Sequence, residues 1–523
     1  MIINRTWMPF AVIAPSLACL LAPSPARAQD AAPNPKPEVI RAVRHDVSRP
    51  LRDLPVRFPE QEDEVENRVV PRTPAISNVD PVVQTPTADP LPAQVLLNFD
   101  ANVSGGAVPP DTNGSVGSTQ YVQWVNVVFS VYDKNTGNIV GGPFPGTHFW
   151  QGFGGMCETL NGGDPQIHWD NMADRWVALQ LAYNGNFSNN SVCMAVSTGT
   201  DALGSYNRYE FNFANNLPDY PKLGIWPDAY YVTSNTFPNG GFFSGAKSCA
   251  MDRTRMLAGQ SATAVCFQRP NSDAFFLPSD LDGPTPPPQG SPNFHIELKT
   301  STTLNLFKFH VDFVNPGLST FTGPTNITVA SYTDICPFTR ACIPQPSPGE
   351  FVDAFSGNLM YRLPYRNFGD HESIVATHTV DKGGNIAGVR WYEIRGLSGT
   401  PSVFQQGTLS TNAIHVWMPS IAMDKMGNIL LGVNGSNAVN IDPSLAFTGR
   451  VAADPLGQLR KPSVLIRGTG VQTAGVNRWG DYAAMAIDET DDCTFWFTGE
   501  YYKTTGARTW STRVGAIKFD NCN

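Results

Sequence analysis

The stretch Arg366-Asn-Phe-Gly-Asp-His-Glu-Ser gathers a guanidinium, two carboxyls and an imidazole, on Arg366, Asp370, Glu372 and His371, just ahead of an apolar run. A second gathering, Asn-Arg478-Trp-Gly-Asp481, precedes another apolar run that ends in Gly-Glu500-Tyr501-Tyr502. Glycosyl transfer to water needs two placed carboxyl groups, or a tyrosine nucleophile where the substrate is anionic, and arginines hold a carboxylated sugar by bidentate bonds. On that reading His371, Glu372, Glu500 and Tyr501 are the catalytic candidates. Arg366, Arg478, Asp164, Asp228, Asp370 and Asp481 are the substrate-binding candidates. A plainer reading stands beside it. Asp after Gly is first a turn residue that caps backbone N–H groups, and one repeated along a chain can simply tie neighbouring units together. His371 and Glu372 depart from the repeat described next, which makes them the stronger functional candidates, because a site breaks a repeat whereas scaffolding follows it.

The elements that must position these residues repeat loosely. A lead-in signal precedes each apolar run: PPDTNG at Asp111, NGGDPQIHWD at Asp164, IWPDAYYVTS at Asp228, NFGDHESIVATH at Asp370 and RWGDYAAMAID at Asp481, with a weaker VWMPSIAMD around Met418. A turn signal recurs as YDKNTGNIV, VDKGGNIAG and MDKMGNILL, where Asp caps and Gly supplies positive φ between two alternating runs. The long gap after Asp228 holds a hidden unit, NFHIELKTSTTLNLFKFHVDF. Seven units of about sixty residues are the sequence mark of a β-propeller, with tandem β-sandwiches the competing architecture. In a propeller the first strand of each blade lines the channel, so residues ahead of it collect at one mouth. The second strand returns there, which brings Glu500 and Tyr501 beside Arg478 and Asp481. The expectation is that His371, Glu372, Arg478 and Glu500 face one common cavity.

Composition fits an all-β chain. In 523 residues only 15% are charged and 11% aromatic, with 46 Gly and 44 Pro, which long helices tolerate poorly and turn-rich sheets use. The net charge of -9, without a Lys/Arg cluster, argues against a nucleic-acid partner. Residues 1–28 read as a secretory signal, with Arg5, an apolar core and Ala26-Arg27-Ala28 before Gln29, and no later segment reads as a membrane span. The expected location is secreted or periplasmic. Cleavage removes Cys19 and leaves an even set of cysteines, read as disulfides with neighbour pairs Cys249–Cys266, Cys336–Cys342 and Cys493–Cys522. Residues 29–93, rich in Pro and charge, read as a flexible spacer or prosegment with a short helix around PEVIRAVRHDV, and the propeller domain occupies 94–523. The VLLNF strand is expected to complete the last blade and close the ring. Calcium is the one ion considered, on the oxygen ligands of Asp111-Thr-Asn-Gly.

PPDTNG, RNFGDHES and NRWGDYAAMAIDETDDCTFWFTGEYY together resemble a family of exported bacterial proteins described loosely as sialidase-like. The resemblance spans the chain from about Val95 and implies an exported propeller without an established activity. No segment fits the Asp box of true sialidases, so their arginine triad and Tyr/Glu pair are not carried over. Two functions follow: a hydrolase or lyase acting on extracellular glycans, acidic sugars among them, or a non-catalytic propeller that binds polysaccharide or protein. Trp226, Trp417 and Trp479 would be stacking surfaces in the second.

Overall fold

A computed structural model of the protein describes Met1 and residues 35–58, 68–77 and 79–523. The chain divides into Met1–Asn34 and Pro35–Asn523, and the fold is that of the second unit. The leader read at 1–28 lies outside the described residues apart from Met1.

Local turn chemistry builds the hairpins. The Oδ1 of Asp133 accepts from the N–H groups of Asn135 and Thr136 at 3.1 and 2.9 Å, that of Asp381 from Gly383 at 2.8 Å, and that of Asp424 from Met426 at 2.9 Å. Gly137 and Gly427 supply the left-handed residue at φ 71° and 76°. Among the described residues the strands between these turns sort into seven consecutive four-stranded antiparallel sheets. Their first strands are Asn113–Val116, Gln166–Asp170, Asn216–Ile225, Leu277–Asp282, Leu363–Asn367, His415–Met423 and Ala484–Ile487. The hidden unit forms the second and third strands of the fourth sheet, Asn293–Thr300 and Thr303–His310. These first strands contact one another in ring order, the seventh returning to the first, so the protein is an all-β propeller with the first strands around its channel. The seventh sheet takes its outer strand from the beginning of the chain: Ala93–Val103 pairs with Trp510–Phe519, Val95 opposite Ile517. That is the closure expected of VLLNF.

Two seams are fused by hydrogen bonds. Glu38–Val47 pairs with Tyr206–Asn212 on one side and Thr263–Gln268 on the other, joining the second sheet to the third. The first strands of the fourth and fifth sheets pair in parallel, Ser279 opposite Leu363. The strand at 38–47 corrects the reading of its segment as a flexible stretch with a short helix. Its side chains are mostly exposed, so the sequence lacks the buried alternation of a strand, and the order comes from two sheet edges that would otherwise be open. Leu51–Asp53 forms a helical turn and Val83–Gln84 pairs beside Ser402–Leu409, so the 29–93 spacer is ordered in these parts too.

Aromatic residues fill the spaces between sheets. Trp124, Phe129, Phe149, Trp150 and Trp176 pack between the first two sheets, and Phe276, Phe294, Phe307, Phe309 and Phe321 lie in and around the fourth. Trp226, Trp417 and Trp479 are buried at 1%, 0% and 0% exposure, so they are core and not stacking surfaces. Four disulfides staple the sheets: the three expected neighbour pairs, and Cys157–Cys193 from the remaining two cysteines. No helix among the described residues is long and apolar enough to cross a membrane.

Candidate functional site

Six of the seven first strands are preceded or entered through a non-glycine residue in the left-handed region: Asp111 (φ 50°), Asp164 (49°), Tyr220 (55°), Phe275 (53°), Met418 (49°) and Asp481 (55°). Asp tolerates this conformation through local hydrogen bonds, whereas a bulky side chain there carries ~1–2 kcal/mol of strain. These residues mark one end of the channel, the lead-in mouth. Asp228 and Asp370 do not belong to them. Each sits in the turn after its first strand, Asp228 between Ile225 and Tyr230 and Asp370 between Asn367 and Glu372, which is the opposite, hairpin mouth. A Gly-Asp or Pro-Asp turn has the same residues on either side of a strand, and that is why the echo misplaced them.

At the lead-in mouth the side chains converge on Lys222. Its Nζ lies 3.3 Å from the Tyr220 ring centre and 4.1 Å from that of Tyr482, and donates to the Pro221 carbonyl at 2.9 Å. Burial pushes the ammonium below the usual lysine range, against the pull of Asp164, Asp111, Asp481 and Asp219. Arg478 donates to both carboxylate oxygens of Asp481 at 2.7 Å. Arg340, carried on the Cys336–Cys342 loop, reaches Asp353 at 2.6 Å and Asp481 at 3.3 Å. Glu500 accepts from Gly480 N at 2.7 Å, and burial holds its carboxyl well above the ordinary range. Asp111, Asp164, Lys222, Arg478, Asp481 and Glu500 are all nine-tenths or more buried, so this is a packed ionic plug. The Asn113 Oδ1 of the proposed calcium loop is taken by Ile167 N at 2.7 Å, and no group of three metal-ligating side chains forms among the described residues.

The hairpin mouth is open. A cleft of about 210 Å³ is lined by Ser118, Trp169, Asn171, Met172, Asp174, Pro284, Glu489 and Thr490. Trp169 and Glu489 also line a small channel cavity with His168, Asp280, Asp282, Tyr361 and Arg362. Its polar groups are chained together. Tyr361 Oη and His168 Nε2 are 2.6 Å apart, and His168 Nδ1 lies 3.2 Å from Asp280. Arg362 donates to Asp280 through Nε at 2.8 Å and to both oxygens of Asp282. Glu489 accepts from Gly283 N at 3.0 Å, and Arg366 is bidentate to Asp492 at 2.6 and 2.8 Å. Gly283 (φ 80°) is required here, since a Cβ would run into the Arg366 guanidinium. Burial raises both carboxyls, Glu489 and Asp282, above the carboxylate range; Asp282 adds to the rise of Glu489, while Asp280 and Asp492 add to that of Asp282, and Arg366 opposes the rise for both and Arg362 for Asp282.

Of the residues singled out in the sequence, Glu500, Arg478, Asp164 and Asp481 meet in the plug. Glu372 stands at the far end of the channel: it accepts from Tyr365 Oη at 2.6 Å and Ser398 Oγ at 2.5 Å beside the 368–371 turn. His371 stacks on Phe368, ring centres 4.7 Å apart, and bonds the exposed Asp370 at 2.7 Å. Tyr501 bonds Asp100 on the closing strand at 2.6 Å. The common cavity expected for His371, Glu372, Arg478 and Glu500 is therefore not formed, because the second strand begins at one mouth and ends at the other. Asp282 and Glu489 were missed. Neither was among the residues singled out in the sequence, and the only local signal was a carboxyl at the end of an alternating run in both cases.

No protein-family model matches the chain, and no curated protein matches it. Solved structures resemble it loosely. An alpha-L-arabinofuranosidase from Fusarium graminearum is 10% identical, with 86% of this chain and 99% of that one covered, at a TM-score of 0.34. An alpha-L-arabinanase from Penicillium chrysogenum is 11% identical over 66% and 95% of the two chains, at 0.32. An exo-beta-1,3-galactanase from Phanerochaete chrysosporium is 10% identical over 81% and 97%, at 0.30. By name these are an arabinofuranosidase, an arabinanase and a galactanase.

Proposed function

We propose that the protein is an exported glycan-acting enzyme whose acid pair is Glu489 and Asp282 at the hairpin mouth. One observation carries the reading: Glu489 lines an open cleft walled by Trp169 and, with Asp282, the small channel cavity behind it, and burial raises both carboxyls, Asp282 adding to the rise of Glu489. Such a pair releases its protons in two steps. The first negative charge settles on Asp282, hydrogen-bonded to Arg362, and leaves Glu489 protonated as the acid for a leaving glycosidic oxygen. Asp282 then serves the sugar carbon, as nucleophile or through a water. Once Glu489 gives up its proton, the Gly283 N–H and the nearby Arg366 charge stabilise its carboxylate.

Arg362, Arg366 and Arg478 each bond aspartates of the protein itself, which favours an uncharged glycan over a carboxylated one. The disulfides and the leader agree with work outside the cytoplasm. The test is release of reducing ends from arabinan, galactan and other neutral polysaccharides by the mature protein. Glu489→Gln and Asp282→Asn are each expected to lower turnover by about two orders of magnitude or more with little change in melting. Full activity in both variants, or binding of these polymers without any turnover, moves the function to the binding reading.

A further inference from the structure

A further cleft opens on the lead-in side beside Phe275, away from the hairpin mouth. It measures about 560 Å³ and lies between residues 71–75, which cross it as a strap, and the end of the second strand of the fourth sheet at Glu297–Thr300. That volume is in the range of small-molecule sites. The strap is held by Asp334, whose Oδ2 accepts from Ala75 N at 2.9 Å and from Arg72 Nη1 at 3.3 Å, and by Thr333 Oγ1, which accepts from Ser77 N at 2.9 Å. The other carboxylate oxygen of Asp334 is buried, has no partner within the protein, and belongs to a side chain only 1% exposed that lines the cleft. A buried acceptor left without a donor is unfavourable, so a ligand hydroxyl supplied there is favoured.

The remaining lining sets the ligand's class. Arg72 and Lys299 face Asp334 and Glu297, two charges of each sign, already engaged with one another or with Asp273. A balanced cleft gives neither an anion nor a cation an advantage, whereas a hydroxyl-rich neutral molecule can donate to Asp334 and lie on the apolar wall of Phe275 and Leu298. We infer that this cleft is a second carbohydrate-binding site for a short neutral oligosaccharide, separate from the acid pair. The choice of a sugar over other neutral polyols rests on the proposed function.

The test titrates linear arabinan, galactan and xylan hexasaccharides into the full mature Glu489→Gln protein by calorimetry, with hydrogen exchange on 71–77 and 298–300. Expected are two binding events for at least one sugar, with exchange protection at the strap. Thr300→Trp fills the cleft from an exposed strand end, and should weaken one event at least tenfold and remove that protection while turnover in the Glu489 background of the wild type is unchanged. Asp334→Asn, which keeps the shape, should weaken the same event. A single event insensitive to Thr300→Trp, or no binding, overturns the inference. Loss of turnover in no variant, together with binding sensitive to Thr300→Trp, overturns the acid-pair reading and leaves the cleft standing.

Discussion

Glu489 and His295 are buried titratable groups whose neighbourhoods pull stability in opposite directions. The Glu489 carboxyl is raised by burial and by Asp282, so the folded chain binds more protons than the unfolded one just above the ordinary carboxylate range, and stability falls as pH rises through that window. Glu489→Gln removes the titration and is expected to flatten this decline as well as turnover. His295 behaves in reverse. It sits among Tyr231, Phe276, Phe309 and Phe321, 2.7 Å from Ser248 Oγ, and burial drives its imidazole down to about 3. The unfolded chain takes up that proton near pH ~6.5 and the folded chain does not, so the stability due to neutral His295 is present above that pH and lost as pH falls towards about 3. We expect the gap in melting temperature between wild type and His295→Gln to shrink steadily on acidification below pH ~6.5. A gap that stays constant or widens excludes His295 as an acid-sensitive element.

At the scale of elements, Glu38–Val47 is the part the sequence conceals best. Its exposed Val39, Val43 and Val47 resemble spacer composition, and its pairing partners lie more than a hundred and fifty residues away in the chain. A chain shortened to begin after Ser48 leaves the outer strands of the second and third sheets as open edges. Hydrogen exchange should then quicken first in Tyr206–Asn212 and Thr263–Gln268, with the sixth sheet unaffected. Uniform exchange in both forms would show that the strand is an ornament. The turns opened by Asp133, Asp381 and Asp424 were, by contrast, fully legible, because an Asp cap and a left-handed Gly are chemistry completed within six residues. The lead-in aspartates were half legible. Asp111, Asp164 and Asp481 sit where the echo put them, but Asp228 and Asp370 needed the register of the whole sheet to be seen on the other side of their strands.

For the whole molecule, closure depends on the pairing of Ala93–Val103 with the last strand, helped by Cys493–Cys522. Removing residues 93–103 exposes Trp510–Phe519 as a long free edge, so the shortened protein is expected to self-associate in sedimentation experiments and to melt lower than the full chain. A monomer of unchanged stability would show that the ring stays closed by other contacts. The juxtaposition of Asp282 and Glu489 was illegible at any shorter scale than this one, since Asp282 ends the fourth first strand and Glu489 follows the seventh, and only the ring brings them together.

That placement across the channel makes the hairpin mouth a caliper. Asp282 rides on the fused fourth and fifth sheets, and Glu489 on the seventh, with Arg362 spanning to the Met485 carbonyl at 3.1 Å and Arg366 to Asp492. Breathing of the ring has to be taken up at the seams that carry no strand-to-strand hydrogen bonds, and the bonds of Arg362 to Met485, Arg366 to Asp492 and Gly283 to Glu489 hold the setting of the two carboxyls against it. The jaws of this caliper are the two carboxyls, and those three bonds are its lock.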